Sequence, residues 1–284
     1  MKTPKRIQPL VDDGLVDEVL SQLMSGKEAT VYVVRCGEEV RCAKVYKEVA
    51  KRSFKQAVEY TEGRKVRNSR RGRAMERRSK YGRKQQEEAW QNAEVDALYK
   101  LAAADVRVPT PYGCFDGVLL MELVTDDEGN VAPRLSEVEL SEAQALEDHA
   151  LMMTYVVRML CAGLVHGDLS EFNVLVDDYG PVVIDLPQAV NAAANQHARS
   201  MLERDVNNMT SYYGQFAPQL LGRLYADELW ELYEEGSLHP DTQLSGGYEA
   251  STEQADVDAV MMEIRAALAE EEKRLERARE ADEL

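Results

Sequence analysis

Three polar side chains interrupt two apolar stretches in the second half of the chain. The stretch LVHGDLSEFNVLV contains Asp168 and Asn173, and the stretch VVIDLPQAV that follows it contains Asp185. The apolar runs NVLV and VVID flank a short turn, which is the pattern of a β-hairpin. We expect this hairpin to bring the three polar side chains around one small space.

The chemistry of these side chains suggests a metal site beside a general base. Carboxylate and amide oxygens are ligands that Mg²⁺ prefers when phosphates and water complete its shell, so Asn173 and Asp185 are candidate metal ligands. Asp168 is then free to orient a hydroxyl group or a water molecule and to accept its proton. His166 is explained more simply as ordering the turn than as transferring protons.

A lysine in an apolar strand is a candidate for a further part of the same site. Lys44 lies in CAKVYK, where a charge is unusual unless it meets an anion, and Glu94 on the next helix is the candidate to position it. A lysine, a glutamate and an Asp/Asn/Asp set are the parts used in phosphoryl transfer, where positioning and electrostatics supply most of the catalysis. Three acidic residues compete with Glu94 on the same helix: Glu87, Glu88 and Asp96.

The periodicity of the chain indicates which elements carry these residues. It predicts a hairpin of two strands, Thr30–Arg35 and Val40–Tyr46, joined by a turn at Cys36-Gly37-Glu38, and a third strand over Val118–Val124. Helices are expected over 10–24, 85–104 and 141–162, the last capped by Ser141, and the chain after 195 reads as helices.

Strands early and helices late predict an α+β fold with two unequal lobes. The predicted boundaries give an N-terminal helical extension at 1–24, a β-rich N-lobe at 25–124 and a mainly α-helical C-lobe at 125–284. We expect the C-lobe to end in an acidic helix that docks by one apolar face. The N-lobe contains a basic insertion at about 50–84.

Charge is distributed unevenly along the chain. The net charge is −17, yet the run at 63–84 holds eleven Lys and Arg against one Glu. Such a run either forms a solvated, disordered segment or binds a phosphate-rich partner such as RNA. The two interpretations are compatible.

Composition argues against membrane and secretory classes of protein. The N-terminus has no apolar run of signal-peptide length, and no uncharged apolar stretch approaches 20 residues. The four cysteines are scattered without a CxxC pair, which favours a reducing cytoplasm over a disulfide framework.

The motifs together resemble the RIO-type atypical protein kinases. The segments that carry the resemblance are SGKEATVYVV, CAKVYK, LLMELV, LVHGDLSEFNVLV, VIDLPQAV and the RDVNN at 204–208. The resemblance implies a bilobal, protein-kinase-like fold with ATP in the cleft, and Mg²⁺ with Mn²⁺ as an alternative. It also implies phosphorylation of protein serine or threonine, including autophosphorylation.

The resemblance assigns a role to each matching residue. Lys44 would contact the α- and β-phosphates, with Glu94 as its ion-pair partner. Asp168 would be the catalytic base, and Asn173 and Asp185 the metal ligands.

The same resemblance implies the nucleotide contacts. LLMELV would be the hinge, with Met121 behind adenine and the backbone of Glu122 and Val124 at its edge. Ser25 and Lys27 would lie near the phosphates.

Some departures from ordinary protein kinases matter. The phosphate loop has one glycine, Gly26, where the usual motif has three, and Asp185 is followed by Leu-Pro in place of Phe-Gly. Only 24 residues precede Ser25, too few for the winged-helix domain of the type 2 branch. A type 1-like or separate bacterial branch is therefore expected.

Two other classes of function remain open at this point. Aminoglycoside-type phosphotransferases share the H-G-D-x-x-x-x-N pattern, and a RIO-type ATPase could act as a switch in assembly of the ribosome or of other RNA. The resemblance also implies that the basic insertion is the site of self-phosphorylation, with Ser69 and Ser79 favoured by their basic neighbours. The segment 63–84 is the expected contact for RNA or the ribosome, and no membrane partner is expected.

Overall fold

The structure is a computed structural model that describes residues 1–26, 29–47 and 93–247. Residues 1–246 form one compact unit, in which strands come first and helices dominate later. The predicted α+β fold class is confirmed. Four predictions lie wholly or partly outside the described residues: those for Lys27, for the basic insertion, for the start of the helix at 85–104 with Glu87 and Glu88, and for the acidic C-terminal helix.

The N-terminal helix is much shorter than predicted. Helix α1 covers Gln8–Asp12, and the chain then turns at Gly14, whose φ of +71° is the left-handed conformation that glycine adopts readily. Strand β1 (Glu18–Ser25) follows and pairs with the next strand. The predicted helix over 10–24 is therefore wrong. Two register shifts break the alternation of β1, so its apolar residues fall at a helix-like spacing.

The segment before Ser25 shares the core of the sheet and is not a separate extension. Ile7 and Leu10 of the first turn and helix are buried together with Val19 of β1 against sheet residues that include Val34 and Leu120. Burial of these apolar side chains ties the N-terminus to the sheet, at roughly 1.5–3 kcal/mol for each large side chain.

Five strands form one antiparallel sheet in the order β1-β2-β3-β5-β4. Strands β2 (Ala29–Cys36) and β3 (Glu39–Tyr46) are the predicted hairpin, which turns through Gly37 with a φ of +65°. Strands β4 (Pro111–Phe115) and β5 (Val118–Glu122) complete the sheet. The central position of β3 is what places Lys44 in the middle of the sheet.

Helix α3 (Glu142–Cys161) begins where the sequence predicts. The hydroxyl of Ser141 accepts a hydrogen bond from the Gln144 N–H, and the Gln144 side chain accepts one from the Ser141 N–H. This reciprocal cap satisfies two of the donors that a helix N-terminus leaves open.

Other helices pack around α3 in the larger core. Helix α2 is described over 93–102 and buries Leu98 and Leu101. The remaining helical elements are α4 (Ala198–Tyr213), α5 (Tyr225–Glu234) and short 3-10 turns at Leu135–Glu137 and Pro218–Leu220. None of the helices in the described ranges combines the length and apolar character that a membrane crossing requires.

Two small antiparallel pairs position the polar motifs. Strands β7 (Val174–Asp177) and β8 (Gly180–Val183) form the hairpin predicted between Asn173 and Asp185. Strands β6 (Leu164–Val165) and β9 (Val190–Asn191) pair with each other on either side of it. The chain after Asp185 enters β9, which pairs with β6, the strand just before Asp168. This pairing brings the loops that contain Asp168 and Asp185 together in one loop cluster.

Candidate active site

Lys44 lies between two carboxylates. Its Nζ is 2.6 Å from Oε1 of Glu94 and 2.7 Å from Oδ1 of Asp185. The other oxygen of Glu94 accepts a short hydrogen bond from the hydroxyl of Tyr46. Lys44 and Glu94 are 8% and 2% exposed, whereas the Asp185 side chain is 43% exposed. The triad is therefore buried on the Glu94 side and open on the Asp185 side.

Three elements build this triad. Lys44 lies in β3 opposite Val31 of β2 and Leu119 of β5, so neighbours on both sides fix its backbone. Helix α2 supplies Glu94, and Asp185 follows the end of β8. The backbone of Asp185 has a φ of +66°, a conformation that Asp and Asn adopt more often than other non-glycine residues.

Charge pairing keeps Lys44 and Asp185 ionised. The ammonium of Lys44 holds the pKa of Asp185 below its ordinary value, although burial opposes this. Burial alone would lower the pKa of Lys44, but the carboxylates of Glu94 and Asp185 raise it above its ordinary value. A positive lysine and an ionised Asp185 are both available at neutral pH.

Asp168 lies beside this triad in the loop between β6 and β7. Its Oδ2 accepts a hydrogen bond of 3.1 Å from the Gln188 amide and a longer one of 3.5 Å from the Asn173 amide. The Asn173 amide also donates to the backbone oxygen of Asp168 at 2.8 Å. Burial raises the pKa of Asp168, and the charge of Arg204 opposes that rise.

His166 holds the loop rather than facing a reactant. Its Nε2 is 3.1 Å from the carbonyl of Ile184, and its Nδ1 accepts the Asp168 N–H at 3.2 Å. These contacts require a proton on Nε2 and none on Nδ1. The ring thus ties the loop of Asp168 to the residue before Asp185, as the ordering role predicted for it requires.

Residues of helix α4 hydrogen-bond to the backbone of the loop that contains Asp168. Asp205 accepts the N–H of Gly167 at 2.7 Å and that of Leu169 at 3.0 Å. Arg204 donates to the carbonyl of Gly167, and Asn208 donates to that of Leu169 at 3.0 Å. Asp205 is 1% exposed, and burial raises its pKa to about 6. The RDVNN motif therefore fixes the backbone on both sides of Asp168.

A cleft of 680 Å³ opens over the triad between the sheet and the helical part. Among the residues expected to contact a nucleotide, Met121, Glu122 and Val124 line it together with Lys44. Its remaining walls are largely apolar side chains from both sides: Leu23, Ala29, Val31, Leu98, Ala132, Leu175 and Ile184. A narrow apolar slot with a cation at one end suits a flat ring that carries phosphates.

Ser25, which is predicted to lie near the phosphates, precedes a residue that lines the cleft and itself contacts other side chains. Gly26 lines the cleft, whereas the Ser25 hydroxyl accepts a hydrogen bond from Lys47 at 3.0 Å and lies 3.3 Å from the Thr30 hydroxyl. The Arg134 guanidinium, which no motif singled out, also lines the cleft and donates to the Met24 sulfur at 3.2 Å. Arg134 is thus a second cation at the mouth of the cleft.

The donor set near Asp185 suits Mg²⁺ in part. Asn173 and Asp185 line the same cleft, and the Asn173 amide nitrogen faces Asp168, which leaves its oxygen as the metal-binding atom. No group of three or more His, Cys, Asp or Glu within the described ranges could hold a metal alone. Two hard oxygen ligands fit an ion whose shell is completed by phosphates and water.

The structure brings together Lys44, Glu94, Asn173, Asp185 and, beside them, Asp168. Sequence reasoning gave no role to Tyr46, Gln188 or Asp205. A tyrosine two residues after Lys44 shares its strand face, since side chains alternate along a strand, and this was a usable signal for Tyr46. Asp205 and Gln188 lie in two of the motifs that carry the resemblance, but their partners are set by tertiary contacts that the local sequence does not reveal.

Known proteins are similar in sequence to this chain over most of its length. The family model described as "RIO domain" matches residues 30–223. The chain is 35% identical over 210 residues to the RIO-type serine/threonine-protein kinase Rio1 of Haloferax volcanii, covering 73% of this chain and 67% of that protein. It is 31% identical over 207 residues to the human serine/threonine-protein kinase RIO1, covering 70% of this chain and 34% of the human protein.

A solved structure shares the fold. The Rio2 kinase of Chaetomium thermophilum, solved as an ADP/Mg²⁺-phosphoaspartate complex, matches with a TM-score of 0.58 and 20% identity. The match covers 92% of this chain and 75% of that one. It confirms the predicted protein-kinase-like fold with two lobes.

Proposed function

This chain belongs to the RIO domain family, and we propose that it transfers the γ-phosphate of Mg²⁺-bound ATP to serine or threonine hydroxyls of protein. The observation that carries the proposal is the Lys44 triad, a buried ammonium 2.6 Å from Glu94 and 2.7 Å from Asp185 at the end of an apolar cleft. Relatives named as serine/threonine kinases support it. The chain spans about two thirds of the archaeal relative and one third of the human one.

The nucleotide would lie in the cleft with its ring between apolar walls. Met121 would lie behind adenine, and the backbone of Glu122 and Val124, which also line the cleft, would meet the edge of the ring. Glu122 is held by Thr110, whose N–H and hydroxyl both donate to its carboxylate at 3.0 and 2.9 Å. Its side chain is therefore occupied, and so is its backbone N–H, which donates to the Thr110 carbonyl at 2.8 Å. Recognition of the ring is left to the rest of this backbone segment.

At the other end, Lys44 would hold the α- and β-phosphates. Glu94 keeps the ammonium aimed into the cleft, and the hydroxyl of Tyr46 in turn fixes Glu94. Asn173 and Asp185 would hold Mg²⁺, which neutralises phosphate charge and orients the γ-phosphate. Asp185 is already ionised, so it binds a cation without first losing a proton.

Asp168 would orient the acceptor hydroxyl and accept its proton. Burial raises its pKa, which makes it a stronger base than an exposed aspartate. Asp205 and His166 hold the backbone of its loop on both sides. Because the loop is already fixed, little free energy is needed to orient the Asp168 carboxylate towards an acceptor hydroxyl.

Partners and compartment are proposed on sequence grounds. The basic segment 63–84, outside the described residues, would bind RNA, the ribosome or an acidic protein, and its serines would be the sites of self-phosphorylation. The four cysteines are free, which agrees with a cytoplasmic, reducing compartment.

A radiolabelled-ATP assay tests the proposal. Purified protein is incubated with Mg²⁺-ATP, with and without casein as acceptor, and read by gel and by thin-layer chromatography. Label on protein supports the kinase, and free phosphate without labelled protein supports the rival ATPase switch. Label on an aminoglycoside or a sugar supports a small-molecule phosphotransferase. Mass spectrometry of the labelled chain then asks whether phosphate lies within residues 50–84.

A further inference from the structure

Gln188 is a half-buried amide three residues after Asp185. Its Nε2 donates to Oδ2 of Asp168 at 3.1 Å, across twenty positions of sequence. Neither the metal nor the nucleotide roles above need this side chain. Its one hydrogen bond within the described residues is to the carboxylate that serves as the base.

The fold holds Gln188 in this place firmly. The Ala189 N–H donates to the carbonyl of Leu186 at 3.0 Å and closes a turn, and both of those side chains are buried. Val190 then pairs with Val165 in the β6–β9 ladder. Because Val165 leads directly into the loop of Asp168, the ladder fixes the turn against that loop.

The two oxygens of Asp168 differ in their contacts. Oδ2 receives the amides of Gln188 and Asn173 at 3.1 and 3.5 Å. Within ranges 1–26, 29–47 and 93–247, no group donates a hydrogen bond to Oδ1. A carboxylate turns in a broad torsional well about its last bond, so amide donors on one oxygen decide where the other one points.

We propose that Gln188 is a positioning residue that holds Oδ2 of Asp168 so that Oδ1 faces the acceptor hydroxyl. This inference rests on the proposed phosphoryl transfer and deepens it. Asn173 cannot do the same alone, because its amide nitrogen mainly serves the Asp168 backbone oxygen at 2.8 Å and its amide oxygen would hold the metal. The shorter of the two side-chain contacts to the carboxylate is that of Gln188, at 3.1 Å against 3.5 Å.

The test replaces the amide by a side chain of similar length that cannot donate. Gln188→Met should lower kcat for phosphate release or transfer by about 10–100-fold, since small misplacements of a reacting group cost this much. The Kd for ATP and the thermal midpoint should stay at the wild-type values, because Gln188 touches neither the cleft nor the core of a lobe. A role in packing alone would leave kcat intact, since Met fills the same volume.

A matched control removes the same chemistry elsewhere. Gln219 donates to the Glu142 carboxylate at 2.9 Å on the surface, and Gln219→Met should leave kcat unchanged. Gln188→Asn keeps the amide but is too short to reach Asp168, so its kcat should also fall. This second variant excludes a folding defect that only Met would cause.

A double-mutant cycle identifies the partner. In single-turnover assays, Gln188→Met should cost nothing further when Asp168 is already Ala. Wild-type kcat in Gln188→Met, or an equal extra loss in the Asp168→Ala background, would overturn the positioning role and leave the kinase proposal standing. A wild-type protein that neither transfers phosphate nor hydrolyses ATP would instead overturn the proposed function, and the positioning role with it.

Discussion

Glu94 offers the sharpest test of the buried triad, because two variants separate its charge from its hydrogen bonds. Glu94→Ala leaves the Lys44 ammonium with one partner, Asp185 at 2.7 Å, and leaves the buried hydroxyl of Tyr46 with none. Removing one partner of a buried ion pair costs about 3–5 kcal/mol. The cost of leaving the Tyr46 hydroxyl without its acceptor is included in this range. It is not added, since Lys44, Glu94 and Tyr46 form one network whose energies are not additive.

Glu94→Gln keeps the shape of the side chain and both of its contacts. The amide oxygen can accept from Lys44, and the amide nitrogen can donate to the oxygen of Tyr46. The loss is then the difference between charged and neutral hydrogen bonds, about 1–2 kcal/mol. Turnover should fall by a larger factor than this free energy of unfolding would suggest. The reason is that Glu94→Gln no longer holds the Lys44 ammonium with a full negative charge.

Urea unfolding followed by far-UV circular dichroism measures both variants. The control is Glu39→Ala, which removes an exposed pair with Arg41 at 2.7 Å where Glu39 is 63% exposed. That change should cost less than about 1 kcal/mol. Equal destabilisation by Glu94→Ala and Glu39→Ala, at an unchanged m-value, would refute the claim that the triad is a buried, stabilising network.

The remaining predictions concern the base, the metal ligand and one buried histidine. Asp168→Asn should keep nucleotide affinity but lower turnover by roughly 10²–10⁴-fold, the share of a positioned base; near-normal turnover would remove Asp168 from that role. Asp185→Asn, which tolerates the positive φ, should weaken Mg²⁺-ATP binding at least about tenfold and leave adenosine binding unchanged in calorimetry; equal losses would indicate a folding defect. His149 is 2% exposed, and burial lowers its pKa to about 4. The unfolded chain therefore binds the proton first, and about 3 kcal/mol of stability should be lost as pH falls from 6.5 to 4; His149→Gln should flatten that loss in urea titrations at each pH.

Local sequence patterns were enough to predict those elements that are determined by nearby residues. The β2–β3 hairpin, the Ser141 cap and the β7–β8 hairpin each follow from turn chemistry and periodicity within a few residues. Lys44 stood out because a charge in an apolar strand needs an anion, and the structure supplies two. The helix predicted at 10–24 failed for the opposite reason. Pairing with β2, which is tertiary information, turned an irregular apolar spacing into an edge strand.

The parts of the site that sequence could not predict are those held by long-range contacts. Asp205 reaches the Gly167 and Leu169 N–H groups across 38 and 36 positions. Gln188 reaches Asp168 only because β9 returns to β6. An aspartate in a helix and a glutamine after a proline carry no local mark of these roles. Their positions become meaningful only when the closure of the loop cluster is known.

Lys44 is a poor single probe of catalysis in this fold. Its ammonium is the shared partner of Glu94 and Asp185, so its removal leaves two carboxylates facing each other, one of them 2% exposed. Repulsion and desolvation would then change stability, the pKa of Asp185 and metal affinity together. Asp168 lies outside that pairing, and its backbone is fixed independently by His166 and Asp205. Loss of turnover on substitution of Asp168 can therefore be assigned to chemistry, whereas the same loss at Lys44 cannot.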